Sequence, residues 1–156
     1  MARWRFPSWC RCPALVKGFY ISDQLADMDI EAIHKFVSQT YWAKDIPQEI
    51  MRRGIENSQC FGVFTDSKQQ VGFARLITDQ ATFAYLSDVY ILEEFRGKGL
   101  SKWLLQTIMS HPCTQGLRRI GLATADAHGL YEQYDFKPLA NPDYFMEVWK
   151  PDIYQK

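Results

Sequence analysis

Six consecutive residues, Arg96-Gly97-Lys98-Gly99-Leu100-Ser101, bring together two cations, two glycines and a small hydroxyl side chain. They sit where the chain changes from a strand-like to a helix-like pattern, which gives the combination a chemical use. The first turn of a helix presents N–H groups without intrahelical partners, and the macrodipole adds partial positive charge there. Glycine lets the backbone come close to an anion. A turn of this kind is suited to a phosphate. Three other residues carry chemistry nearby: Asp88, the one carboxylate inside an apolar, aromatic strand, and the pair His128 and Tyr131 on a short helix further on.

The elements that must position these groups follow from periodicity. Phe83 to Leu92 is rich in aromatic and β-branched residues and reads as a strand. Leu100, Trp103, Leu104, Thr107 and Ile108 then recur at helical spacing. Upstream, Gly18 to Ser22 reads as a first strand. A helix capped by Asp27 or Asp29 runs to about Gln39, with Ile30, Ile33 and Val37 on one face. A second helix runs from Pro47 to about Asn57, with Asp45 before Pro47 and Gln48 in the manner of a capping box. Cys60 to Thr65 and Val71 to Thr78 are strands that form an antiparallel meander with Phe83 to Leu92. After the central helix, Arg119 to Thr124 is a strand, Asp126 to Tyr134 a helix, and Phe136 to Leu139 and Tyr144 to Lys150 two more strands. The order β-α-α-β-β-β-α-β-α-β-β describes an α/β domain, a mixed sheet with helices on both faces.

Elimination narrows the phosphate turn. A Walker A loop needs Lys and Ser or Thr after its last glycine, but Leu100 and Ser101 follow Gly99. A dinucleotide fingerprint starting at Gly97 needs glycine where Lys102 stands, and the strands before it form a meander, not a βαβ unit. Arg96 to Ser101 instead resembles [QR]-x-x-G-x-[GA], the pyrophosphate loop of the GCN5-related N-acetyltransferase (GNAT) superfamily, with Ser101 in place of the usual Gly or Ala. Ala127, Tyr131 and Phe136 are similar to that family's late motif, A-x-x-x-Y-x-x-x-G-F. Asp135 replaces its glycine at a helix end where positive φ is common. The resemblance spans roughly Gly18 to Lys150 and implies a mixed, mostly antiparallel sheet of six to seven strands.

The resemblance also implies the chemistry, acetyl transfer from acetyl-CoA as co-substrate to a primary amine of a small molecule or peptide by direct attack. Val89, Tyr90 and Ile91 would hold the acetyl and pantetheine arm, and Arg96, Gly97, Lys98, Gly99, Leu100 and Ser101 the pyrophosphate. Arg96 and Lys98 either pair with phosphate oxygens or stand in solvent. Tyr131 would protonate the leaving thiolate, its other reading being an aromatic that packs the last helix on the sheet, with Tyr134 beside it. For the general base Asp88 comes first, against a reading as a buried acid satisfied by the backbone. His128 comes second, since an imidazole titrates near neutrality. Strict alternation puts Leu86, Asp88 and Tyr90 on one face of the strand and Tyr85, Ser87, Val89 and Ile91 on the other, but a bulge would re-aim them. Tyr41 and Trp42, with Tyr85 and Ser87, would meet the acceptor. The alternative function is a CoA-binding sensor of the same fold without turnover.

Composition bounds the rest. The 156 residues suffice for one domain with a sizeable core. Basic and acidic residues number 18 each, a balance that argues against a nucleic-acid or membrane-surface partner. A cytoplasmic setting is the default, with no metal and a possible homodimer. Cys10, Cys12, Cys60 and Cys113 show no scaffold or zinc spacing. Residues 1–16 are expected to lie outside the folded domain, disordered or the product of an upstream start assignment, leaving 17–156 as the acetyltransferase domain. Setting aside their Arg3, Arg5 and Arg11 leaves that domain mildly acidic.

Overall fold

A computed structural model describes residues 15–155. Its sheet has five strands in the order β1-β2-β3-β4-β5: β1 (Phe19–Ser22), β2 (Gln59–Thr65), β3 (Gln70–Thr78), β4 (Phe83–Ile91) and β5 (Arg119–Gly121). The first four are antiparallel and β5 runs parallel to β4. A parallel neighbour needs a crossover, and α3 (Leu100–Ser110) supplies it, burying Leu100, Trp103, Leu104, Leu105 and Ile108 against one face of the sheet. The other face is covered by α1 (Ile30–Val37) and α2 (Gln48–Glu56), through Ile33, Val37, Met51 and Ile55. Inward residues of the strands serve these two layers: Phe61, Val63 and Leu76 lie on the α3 side, and Phe64, Phe73 and Tyr90 on the side of α1 and α2.

The β3–β4 ladder contains the feature that shapes the site. Its register passes from Phe73↔Tyr90 to Arg75↔Ser87, so Ala74 faces two residues, Asp88 and Val89. This is a β-bulge, and Asp88 occupies it with φ 55°. The alternation inverts there. Leu86 packs with the α3 layer, while Tyr90 packs with α1 and α2. The single face drawn by strict alternation through Leu86, Asp88 and Tyr90 is therefore divided between two layers.

Several local expectations hold and several change. Asp29 caps α1, its Oδ1 accepting from Ala32 N at 3.0 Å. Asp45 does not form a capping box on α2; its backbone takes a positive φ and its N–H closes the preceding loop onto Ser38 O at 2.9 Å. The strand expected over Arg119–Thr124 ends at Gly121. The helix expected over Asp126–Tyr134 is α4 (His128–Tyr131) followed by a 3-10 turn, Glu132–Tyr134. Asp135 takes the positive φ its place implied. The sixth and seventh strands, Phe136 to Leu139 and Tyr144 to Lys150, do not form among the described residues; only a 3-10 turn, Pro142–Tyr144, lies in that stretch. Pro138, Pro142 and Pro151 withhold backbone donors and restrict the residue before each. The segment returns to β5 by a side-chain contact instead, with the Arg119 guanidinium 4.6 Å from the centre of the Phe145 ring. Residues 1–14, with Cys10 and Cys12, lie outside the described residues.

Candidate active site

The cleft forms where two neighbouring strands part. The β4–β5 ladder holds only from Phe83↔Arg119 to Tyr85↔Gly121. Beyond it β4 continues through the bulge to Ile91, while residues 122–127 turn away to reach α4. The opening is a cleft of about 700 Å³. Tyr85 to Ile91 form one wall and Leu122 to Ala127 the other, and Arg96, Ser101, Tyr131, Tyr41 and Trp42 also line it.

Asp88 is held at the cleft by two side chains. Arg75 Nε donates to its Oδ2 at 2.5 Å, and Trp42 Nε1 donates to its Oδ1 at 3.0 Å. The Asp88 side chain is 3% exposed and that of Arg75 16%, so the ion pair is largely shielded from water. Arg75 Nη1 also donates to Ser58 Oγ at 3.1 Å. The bulge explains how this arises: Arg75 and Ser87 share a register position, and the extra residue turns Asp88 toward the Arg75 side. Arg75 is the residue that reading the sequence missed. Its signal was present as a lone cation in the apolar run Val71 to Thr78, one register step from the lone carboxylate of the next strand.

The glycine turn has a backbone that favours glycine. Gly97 and Gly99 have φ of 77° and 80°, the left-handed region that glycine enters without steric cost. A Cβ at either would meet nothing within 4 Å, so the space in front of the turn is open. Gly99 caps α3, whose first intrahelical bond runs from Trp103 N to Gly99 O at 3.0 Å, and the N–H groups before it point out of the helix start. Arg96 Nε donates to Ile91 O at 3.1 Å, tying the turn to the end of β4. Arg96 and Ser101 line the cleft, whereas Gly97, Lys98, Gly99 and Leu100 are not among its lining; Leu100 is buried in the core. An extended anionic ligand reaching from the cleft to this turn fits the open space and the free donors.

Tyr131 is buried, lines the cleft and packs edge-on against Phe136, ring centres 5.8 Å apart. Burial, then the proximity of Tyr41 and Asp126, pushes its hydroxyl up to about 12. Tyr134 serves packing, its hydroxyl donating to Lys102 O at 2.7 Å. His128 opens α4 exposed to solvent and is not among the cleft lining. Tyr41, Trp42, Tyr85 and Ser87 all line the cleft. Phe36 of α1 stacks on Tyr90 at 3.9 Å and lines the cleft as well.

Among the described residues no helix is long and apolar enough to cross a membrane, and no three His, Cys, Asp or Glu side chains gather as metal ligands would.

Comparison with known proteins agrees with this geometry. Residues 56–138 match the acetyltransferase (GNAT) domain family. A candidate acetyltransferase of Gibberella zeae is 33% identical over 135 residues, covering 72% of this chain and 75% of the relative. The crystal structure of a candidate acetyltransferase of the GNAT family from Xanthomonas campestris pv. campestris is 50% identical with a TM-score of 0.86, over 88% of this chain and 97% of that one. Glucosamine-6-phosphate N-acetyltransferase from Arabidopsis thaliana shares the fold at 16% identity and a TM-score of 0.58, over 85% and 97%. With the family model spanning β2 to β5, the bulge, the glycine turn and Tyr131, the chain belongs to the GNAT acetyltransferases.

Proposed function

We propose that this protein transfers the acetyl group of acetyl-CoA to a primary amine of a small molecule or peptide by direct attack, with Asp88 as base and Tyr131 as acid. One observation carries the reading: Asp88, Tyr131 and the glycine turn's Arg96 and Ser101 line a single cleft. Acetyl-CoA, when bound, supplies a thioester carbonyl and a leaving thiolate. The backbone of Gly97 to Ser101 would hold its pyrophosphate, and the cleft wall at Val89 to Ile91 its pantetheine arm. Asp88 takes a proton from the amine, directly or through a water, as nitrogen bonds to the carbonyl carbon. Tyr131 donates to the sulfur as the C–S bond opens. Its hydroxyl, pushed up to about 12, keeps its proton at neutral pH. It also holds that proton more tightly than an ordinary thiol, with pKa ~8.5, so Tyr131 acts first as a hydrogen-bond donor to the developing thiolate. Asp88 carries the base role over His128 because it lines the cleft and His128 does not.

The test is Tyr131→Phe assayed against an amine panel. Acid catalysis is worth about 10² to 10⁴ in rate, so kcat should fall by that range with acetyl-CoA affinity unchanged. An unchanged kcat would remove the acid role. Tight acetyl-CoA binding by the unmodified protein, with no transfer to any amine, would favour a sensor.

A further inference from the structure

The loop between α1 and α2 is closed at its base and reaches across the cleft at its tip. Asp45 N donates to Ser38 O at 2.9 Å, and His34 Nε2 lies 2.8 Å from Ile46 O. Val37 and Ile46 anchor the two ends in the core. The tip residues make one bond to each wall: Trp42 Nε1 to Asp88 Oδ1 on β4, and Ala125 N to the Tyr41 hydroxyl on the opposite side. Their rings pack edge to face at 5.0 Å. They remain 64% and 45% exposed, unlike the core rings. The tip is therefore a thin strap held mainly by those two hydrogen bonds.

Trp42 also occupies a position that the reaction needs. Asp88 offers two oxygens. Arg75 takes Oδ2, and the indole N–H takes Oδ1. We infer that Trp42 is a gating residue for the acceptor: with the indole bonded to Oδ1 the Asp88 side chain is only 3% exposed, so an acceptor reaches the carboxylate by displacing the indole and lifting the strap. This rests on Asp88 acting as the base. It sets a selection on the acceptor, since only a donor that competes with the indole for a carboxylate, an amine or its ammonium form, opens the strap effectively. An alcohol or a water competes poorly.

Trp42→Phe keeps the ring and removes the donor. The ring is half-exposed, so folding should survive, and a thermal melt checks it. Hydrogen bonds to charged groups contribute about 1.5 kcal/mol or more, so the variant should lower KM for amines about tenfold. Hydrolysis of acetyl-CoA in the absence of amine should rise by a similar factor. There water attacks the carbonyl carbon, one of its protons passes to Asp88, the C–S bond breaks, and the thiolate takes up a proton, giving CoA and acetic acid, which ionises in solvent. In an Asp88→Asn background the gain should vanish. A readout independent of turnover is the Trp42 indole signal in a ¹⁵N-labelled spectrum, assigned by its loss in Trp42→Phe. Saturating 2-phenylethylamine in the presence of CoA should move it toward the free-indole position, while CoA alone should not. An unchanged KM and hydrolysis rate, a gain that persists in Asp88→Asn, or an indole signal that ignores the amine would overturn the gate. Calorimetry with acetyl-CoA separates the two readings. Absence of binding sinks the proposed function itself, whereas binding without the Trp42 effects sinks only the gate.

Discussion

The ion pair between Arg75 and Asp88 makes a quantitative demand on the fold. Arg75→Met removes one partner and leaves a carboxylate whose side chain is 3% exposed, with only the Trp42 indole donating to it. Breaking a buried pair this way costs about 3 to 5 kcal/mol, because the remaining charge stays uncompensated. Arg75 is 16% exposed, so water screens part of the attraction being lost, and the lower end, about 3 kcal/mol, applies. For a domain of this size each kcal/mol moves Tm by about 2 to 4 °C, which gives a fall of about 6 to 12 °C. Asp88→Asn should cost less, about 1 to 2 kcal/mol, because Arg75 keeps its bond to Ser58 and some access to solvent. The double variant should then be more stable than the two single losses added together, with a coupling of at least about 1 kcal/mol. Urea denaturation of the four proteins measures this directly. Arg75→Lys should fall in between, since an ammonium keeps the charge but not the planar fork that also reaches Ser58. A Tm for Arg75→Met within 2 °C of the parent, or additive losses in the cycle, would refute the claim that this pair fixes Asp88.

Two further predictions concern the cofactor turn and the acid. Gly99→Ala places a methyl on a backbone at φ 80° with open space before it, so it should cost only about 1 to 2 kcal/mol of backbone strain while weakening acetyl-CoA binding about tenfold by calorimetry; unchanged affinity would remove the turn from the pyrophosphate site. A raised hydroxyl is protonated below its folded value and ionises only as pH passes it. With Tyr131 pushed up to about 12, a pH–kcat profile should show no loss with midpoint near 10 that depends on this residue. A Tyr131-dependent decline centred at 10 would mean that the hydroxyl titrates as a free phenol.

The GNAT assignment and the site came from different layers of information. Residues with a local conformational requirement were legible one by one. Gly97 and Gly99 let the backbone come close to an anion, Asp27 or Asp29 had to cap, Asp135 stood at a helix end where positive φ is common, and Leu100 to Ile108 had to bury one face. Each of these is settled by neighbours within a turn or two, so sequence alone determined the order of elements up to α4, the glycine turn and the motif tyrosine. Tertiary structure decided what depends on register. Whether β4 carries a bulge is fixed by how it pairs with β3, and that single extra residue turned Asp88 to meet Arg75 and Trp42, 13 and 46 positions away in the chain. The same dependence on partners removed the last two strands and shortened β5. A β-strand is stable only through its neighbours, and no pattern within Phe136 to Lys150 says whether a neighbour is in place. The cleft exists because β5 stops at Gly121, an event that belongs to the sheet and not to any one segment.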